Sequence, residues 1–391
     1  MSELLESRWT ETKSALLEGL GGNKKAVMDT TLENTRKYLS ESATAGATSA
    51  GNVATLNRVI LPVIRRVMPT VIANELVGVQ PMTGPVGQIH TLRVRYADTF
   101  DSTGGTDVTA GEEALSPFKI AEGYSGAAAD DKAASTGSME GLAGNRLSIQ
   151  ILKQTVEAKS RKLSARWTFE SAQDAQSQHG IDVEAEIMAA LAQEITSEID
   201  QEVIGSLTTL AGTATQTYDQ AAVSGTATFV GDEHAALAVT INRVSNLIAQ
   251  RTRRGAGNWA VVSPTVLTIL QSATTSAFAR TTEGTFEAPT NTKLVGTLNN
   301  AMKIYVNTYA SSDNVLVGYK GSTESDAAAF YCPYIPLMSS GVVLDPATFE
   351  PVVSFMTRYG YVELTNAASS LGNAADYLGL VSVTSGNLSF S

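Results

Sequence analysis

Residues 77–96, V-G-V-Q-P-M-T-G-P-V-G-Q-I-H-T-L-R-V-R-Y, constrain this chain more than any other stretch. Gly78, Pro81, Gly84, Pro85 and Gly87 fill its first half, where proline fixes φ and glycine frees it, so the backbone must turn there. From residue 89 the pattern alternates: His90, Leu92, Val94 and Tyr96 share one parity, and Thr91, Arg93 and Arg95 the other. Such a period of two predicts a strand covered on one side.

Downstream of this strand the pattern predicts a long hairpin. Residues 97–145 are rich in Gly, Ala, Ser and Asp and set nine acids against Lys119 and Lys132, a composition that promises little core. Beyond them, 147–169 reads as extended chain, with Leu163, Ala165, Trp167 and Phe169 on one face and Lys162, Arg166 and Thr168 on the other. The edges of such an arm suit pairing with another chain. After Gly180, Asp182 can cap a long helix carrying Val183, Ile187, Leu191, Ile195, Ile199 and Val203. From about 232 helices and strands alternate: a helix over 233–251, a basic turn at 252–258, a buried strand from Trp259 to Ser263, a helix from Pro264 through Leu270, and strands at 302–309 and 314–319. Strands near 352–363 and 377–383 are expected to return to the long-helix unit. At the other end, 1–39 reads as short helices broken at Gly21 and Gly22. Being marginal alone, they are expected to dock on a neighbour or a scaffold. Residues 40–55 form a small-residue linker, and 56–76 a helical apolar stripe interrupted by Pro62 and Pro69.

Composition narrows the function. A formal net charge of −11 argues against affinity built on phosphate neutralisation. The single cysteine, Cys332, permits no internal disulfide and fits a reducing compartment. No apolar run reaches the ~20 residues of a membrane span, and M-S-E-L-L-E-S-R has no signal-peptide pattern, so cytosolic synthesis is expected. Three histidines, His90, His179 and His234, lie far apart, and no metal or cofactor is expected. Glu194, Glu198 and Glu202 stand one turn apart and offer a carboxylate face, whose usual meaning is a solvated surface. Arg251, Arg253 and Arg254 near Trp259 could hold a nucleic-acid strand by charge and stacking, or salt-bridge to an acidic neighbouring subunit.

Several ordered segments carry a resemblance. V-G-V-Q-P-M-T-G-P-V-G at 77–87, the run 156–203, T-R-R-G-A-G-N at 252–258, G-Y-K-G-S-T-E-S-D-A-A-A-F-Y-C-P-Y-I-P-L at 318–337, and D-P-A-T-F-E-P with F-M-T-R-Y-G at 345–360 resemble the major capsid proteins of T-even-like tailed phages. The resemblance implies an α+β fold of the Hong Kong 97 type. Its parts would be an N-terminal arm and linker (1–55), the start of a peripheral domain (56–88), an extended loop (89–169) with an insertion at 97–145, a spine helix (170–224), an axial domain (225–340) and a return to the peripheral domain (341–391). It implies a non-enzymatic subunit that assembles as hexamers and pentamers into an icosahedral shell around DNA contacted only non-specifically, in the virion and, during assembly, the host cytoplasm. Portal, scaffold and decoration or vertex proteins would be partners, and no membrane. The alternatives are a protein nanocompartment of the same fold and a carboxylate-dependent hydrolase built on Glu194 and Glu198. Arg93, Arg95, Lys159, Arg161, Arg251, Arg253 and Arg254 are the candidate subunit-interface residues, and Glu41 in Leu39-Ser40-Glu41 the candidate prohead-protease site, with retention of the arm favoured.

Overall fold

The computed structural model describes residues 9, 13–14, 17, 22–45, 71–101, 107–114, 123–126, 133–179, 182–219, 230–272, 278–280, 293–299, 301–324, 326–365 and 373–384. The expected linker over 46–55 and the helical stripe over 56–70 lie outside the described residues. In chain order the elements are α1 (Gly22–Ala45), α2 (Ala73–Leu76), β1 (Gly78–Val79), β2 (Val86–Tyr96), α3 (Thr136–Met139), β3 (Leu147–Glu157), β4 (Lys159–Arg166), α4 (Phe169–His179), α5 (Val183–Ala211), β5 (Gln216–Asp219), α6 (Val230–Thr252), β6 (Trp259–Val262), α7 (Pro264–Ser272), β7 (Phe278–Arg280), β8 (Lys293–Leu298), β9 (Met302–Val306), β10 (Asn314–Gly318), β11 (Ala329–Ser339), β12 (Val343–Leu344), β13 (Pro351–Glu363) and β14 (Leu378–Thr384). The fold is α+β, in two compact units: 1–87 with 156–206 and 329–362, and 88–155 with 207–328 and 363–391.

The first unit is built on a five-stranded sheet in the order β1-β11-β13-β12, with β4 also paired to β13. The β4–β13 ladder is antiparallel from Val352↔Arg166 to Tyr359↔Lys159. Helix α5 starts where the Asp182 carboxylate accepts the Glu184 N–H at 3.1 Å, and Glu184 and Glu186 add the acids that a helix N-terminus favours. It ends at Gly212, whose φ of +70 is the left-handed stop that glycine reaches without strain. Helix α1 packs on β11 through Val27, Met28, Thr31 and Leu32, all buried at helical spacing. In the single chain this helix is docked on the chain's own sheet.

The second unit holds a seven-stranded sheet, β5-β14-β10-β6-β9-β8-β7. Leu237, Ile241, Val244 and Ile248 form the buried stripe of α6, and they join Val266, Ile269 and Leu270 of α7 and Val262, Ile304, Val317 and Val381 of the strands in one core. A Cβ at Gly318 would stand 2.1 Å from the Trp259 ring, so only glycine lets β10 run beside β6 there.

Three expectations change. Strand β14 does not return to the long-helix unit: it lies between β5 and β10 in the seven-stranded sheet, Val381 opposite Gln216 on one side and Val315 on the other, a pairing set by distant partners and not by its own local pattern. Strand β11, inside the range expected for the axial domain, pairs with β1 in the other sheet, Gly78↔Phe330 and Val79↔Tyr331. The tip of the hairpin β2–β3 has a core of its own. Tyr96, Phe100, Val108, Ala114 and Tyr124 cluster there, with Tyr96 and Tyr124 edge-to-face at 4.7 Å.

Candidate assembly interface

Seven basic residues are expected at subunit contacts, and the structure puts them in different settings. Arg93 and Arg95 are buried, with Arg93 Nη1 donating to Glu113 at 2.6 Å and the Arg95 backbone bridging Glu113. The face they would offer to solvent is covered because the tip folds back on β2: the Tyr96 and Ala114 amides bond the carbonyls of Glu112 and Val94. Arg93 therefore serves the arm's own fold. Asp98 and Arg146 close the tip's base at 2.9 Å, and Arg146 holds the Asp98 carboxyl below the usual range by that hydrogen bond.

Arg161 of β4 is likewise engaged within the chain. Its guanidinium donates to Glu198 (2.6 Å) and Glu202 (2.7 Å) of α5 and to the Tyr359 hydroxyl (2.6 Å) of β13, while that hydroxyl also bonds Glu202. Burial opposes its charge, yet the bonds from Glu202 and Tyr359 outweigh burial and hold its pKa above the ordinary value. For Glu202 burial acts upward, and Arg161 and Tyr359 pull the carboxyl below its usual range. The one-turn spacing of Glu198 and Glu202 is therefore a clamp on the sheet: both carboxylates take an arm of one arginine. Glu202, held below its usual range, is not poised as a general acid. Lys159, on the same strand, is exposed.

The basic turn after α6 is fixed by the loop that follows the neighbouring strand β10. Asn258 donates to the Lys320 carbonyl at 2.6 Å and accepts its N–H at 3.0 Å, and Arg254 Nη1 reaches Asp326 at 2.7 Å. The two motifs T-R-R-G-A-G-N and G-Y-K-G-S-T-E-S-D thus form one latch. Arg253 makes the turn at φ +48 and stays exposed, and Arg251 is half-buried. Trp259 is 2% exposed, so it is no stacking platform, and the strand-binding reading of this loop loses its aromatic half.

Among the described residues no group of His, Cys, Asp and Glu could hold a metal. Burial pushes the Cys332 thiol up to about 11, which makes it an inert core thiol. His234 is buried and bonded to Ser272, and His90 is exposed. Glu41 falls within helical backbone, since α1 runs on to Ala45 through the stretch expected to be linker.

The surface most in need of a partner was not singled out by the sequence. Leu147, Ile149 and Ile151 share one parity of β3 and are 54%, 69% and 65% exposed. Within the first unit, Phe349 is 71% exposed and Phe169 48%, their rings 6.0 Å apart, and Val343 and Leu344 of β12 are exposed too. The period-2 pattern of L-S-I-Q-I was available as the signal.

A family model described as Major capsid protein Gp23 matches residues 53–383. The chain belongs to this family. It is 30% identical over 420 residues to the major capsid protein of Vibrio phage KVP40, covering 85% of this chain and 81% of that protein. It is 29% identical over 411 residues to that of Enterobacteria phage T4 (83% and 78%) and 29% over 402 residues to that of Salmonella phage ViI (92% and 90%). Among solved structures it is similar to a chain from Mycobacterium phage Bobi, with a TM-score of 0.47, 15% identity and coverage of 80% and 90%. The capsid of Myoviridae phage XM1 gives 0.45, 10%, 80% and 92%. As a Gp23-family major capsid protein the chain is a structural subunit of a tailed-phage shell and not an enzyme, and neither the hydrolase reading on Glu194 and Glu198 nor the nanocompartment alternative is favoured.

Proposed function

We propose that the shell is assembled from hexameric rings, with pentamers of the same or a related chain, in which the hairpin arm of one copy lies on the next. The observation that carries this is the stripe Leu147, Ile149 and Ile151, each more than half exposed on a two-stranded arm. Fully burying such a side chain contributes roughly 1.5–3 kcal/mol, so covering what is still exposed adds about 1–2 kcal/mol each, before the cost of ordering the partner. One contact of that size is weak. Repeated in a heterologous ring it closes a hexamer, and repeated over a shell it becomes cooperative. That the unit with the seven-stranded sheet lies closest to the ring axis belongs to this proposal, and so do Lys159, Arg251 and Arg253 as contacts to neighbours.

The acid excess fits a container whose packaged DNA is held without sequence-specific contacts. Portal, scaffold and decoration or vertex proteins complete the assembly, which runs in the host cytoplasm. The test is Ile149→Asp with Ile151→Asp. Folded subunits with unchanged far-UV circular dichroism and no closed shells are expected. Shells at wild-type yield would rule out the arm as the closing contact.

A further inference from the structure

Residues 71–77 lead into strand β1, and their apolar side chains are buried: Val71, Ile72, Ala73, Leu76 and Val77 are each 4% exposed or less. The amides of Asn74, Glu75, Leu76 and Val77 bond carbonyls of Val71, Ile72 and Ala73, so the segment can lift as one piece. It lies against α5 at Asp200, where one carboxylate oxygen accepts the Ile72 N–H at 2.9 Å and the other is buried without a hydrogen-bond partner. An ionised oxygen buried with no donor costs far more than a buried neutral carboxyl, and water relieves that cost. Pairing of β1 with β11 begins only at Gly78, so lifting 71–77 brings water to the carboxylate and leaves the ladder intact.

We propose that residues 71–77 form a proton-gated lid on α5, closed while the Asp200 carboxyl is protonated and opening transiently to water once it is ionised. The surrounding groups leave this role to Asp200. Burial pushes up the Tyr331 hydroxyl and, to about 11, the Cys332 thiol on β11, and the Tyr359 hydroxyl on β13, so all three are neutral through pH 8. Burial acts upward on Glu202 too, but Arg161 and Tyr359 outweigh it and keep that carboxylate charged. Helix α1 brings Lys24, paired with Glu75 at 3.0 Å, and Asn34, whose Nδ2 donates to the Met82 and Tyr334 carbonyls at 2.6 and 3.0 Å. Among the described residues no cation pairs with Asp200. Burial therefore raises its pKa to about 7, with the Ile72 bond acting the other way. Opening returns the carboxyl to its ordinary value and releases a proton between the two, so it grows more frequent as pH rises toward 7 and levels off above. As β1 is the outer strand of its sheet, the lid governs how firmly that edge is held.

Hydrogen exchange of the unassembled full-length subunit, read by mass spectrometry and corrected for the intrinsic pH dependence of exchange, tests the lid. Amides 72–77 are expected to lose protection about tenfold or more between pH 5 and pH 7. At pH 7 they should also exchange faster than those of Val353 and Phe355 in the middle of the same sheet, which report opening of the whole unit. Asp200→Asn has no proton to release and should abolish the pH dependence, with circular dichroism showing that the variant is folded. If it does not fold, the parent's pH profile and its comparison with Val353 and Phe355 decide. Protection of 72–77 that ignores pH in the parent, an unchanged pH dependence in a folded variant, or exchange no faster than that of Val353 and Phe355 would each overturn the lid.

Discussion

Asp200 is the most informative single residue to change. It is 1% exposed on α5, one carboxylate oxygen accepts the Ile72 N–H at 2.9 Å, and the other is buried without a hydrogen-bond partner. Burial pushes its pKa up to about 7, partly offset by the Ile72 bond. Because the folded value lies above the unfolded value of roughly 3.9, the folded state holds the proton more tightly, and stability falls as pH rises between those two values. Above about pH 7 the full penalty is present, with an upper bound of roughly 4 kcal/mol at ~1.4 kcal/mol per unit. Asp200→Asn keeps the acceptor for Ile72 and removes the charge, but its amide N–H₂ replaces one orphan with another, which returns roughly 1–2 kcal/mol. We therefore expect the variant to be more stable than the parent by about 1–3 kcal/mol at pH 8 and less stable than it by about 1–2 kcal/mol at pH 4, where the carboxyl is neutral and only the orphaned amide distinguishes the two. Urea unfolding of unassembled subunits, followed by circular dichroism at both pH values, measures this. A variant that is less stable at pH 8, or a gain that does not depend on pH, would refute the buried-charge argument.

Other substitutions test the remaining contacts. Arg161→Leu strands Glu198, Glu202 and Tyr359 and should cost about 1–3 kcal/mol at pH 7. As the Glu202 pKa is depressed, that deficit should shrink as pH falls through the folded value, and thermal melts at pH 7 and pH 3 compare the two. Gly318→Ala drives a methyl group into Trp259 and should lower the melting temperature by about 5 °C or more, with a red shift of tryptophan emission. Deleting 97–145 removes Glu113 and Tyr124, the partners of Arg93 and Tyr96, so it should destabilise the remaining hairpin as well as stop assembly, and limited proteolysis of 88–96 reads the first effect.

Much of this was legible where the pattern is local. The α5 stripe, the Asp182 cap, the apolar runs of β6 and β10 and the helix starting at Pro264 all follow from spacing and capping chemistry. Membership of a sheet is a non-local property, and there the reading slipped: nothing within L-G-L-V-S-V-T distinguishes a place beside β10 from one beside β13. The charged residues failed for a related reason. Arg93 looked exposed because its parity is polar, but its partner Glu113 is one acid among many in a segment without periodicity. Arg161 looked available because Glu198 and Glu202 come from another element. Asp200 could have been found, since it lies in phase with Met188, Ala192, Thr196 and Ile204 on the buried face of α5. Asn34 could not, as its acceptors are backbone carbonyls 48 and 300 residues away.

The central claim is that this 41.1 kDa chain closes into a shell through contacts between identical copies. Sedimentation of the purified assembly together with negative-stain imaging measures that most directly. Closed hollow particles of megadalton mass, lost on Ile149→Asp with Ile151→Asp, are the predicted result. A protein that stays a monomer or a small discrete oligomer under conditions where its subunits are folded would contradict the account.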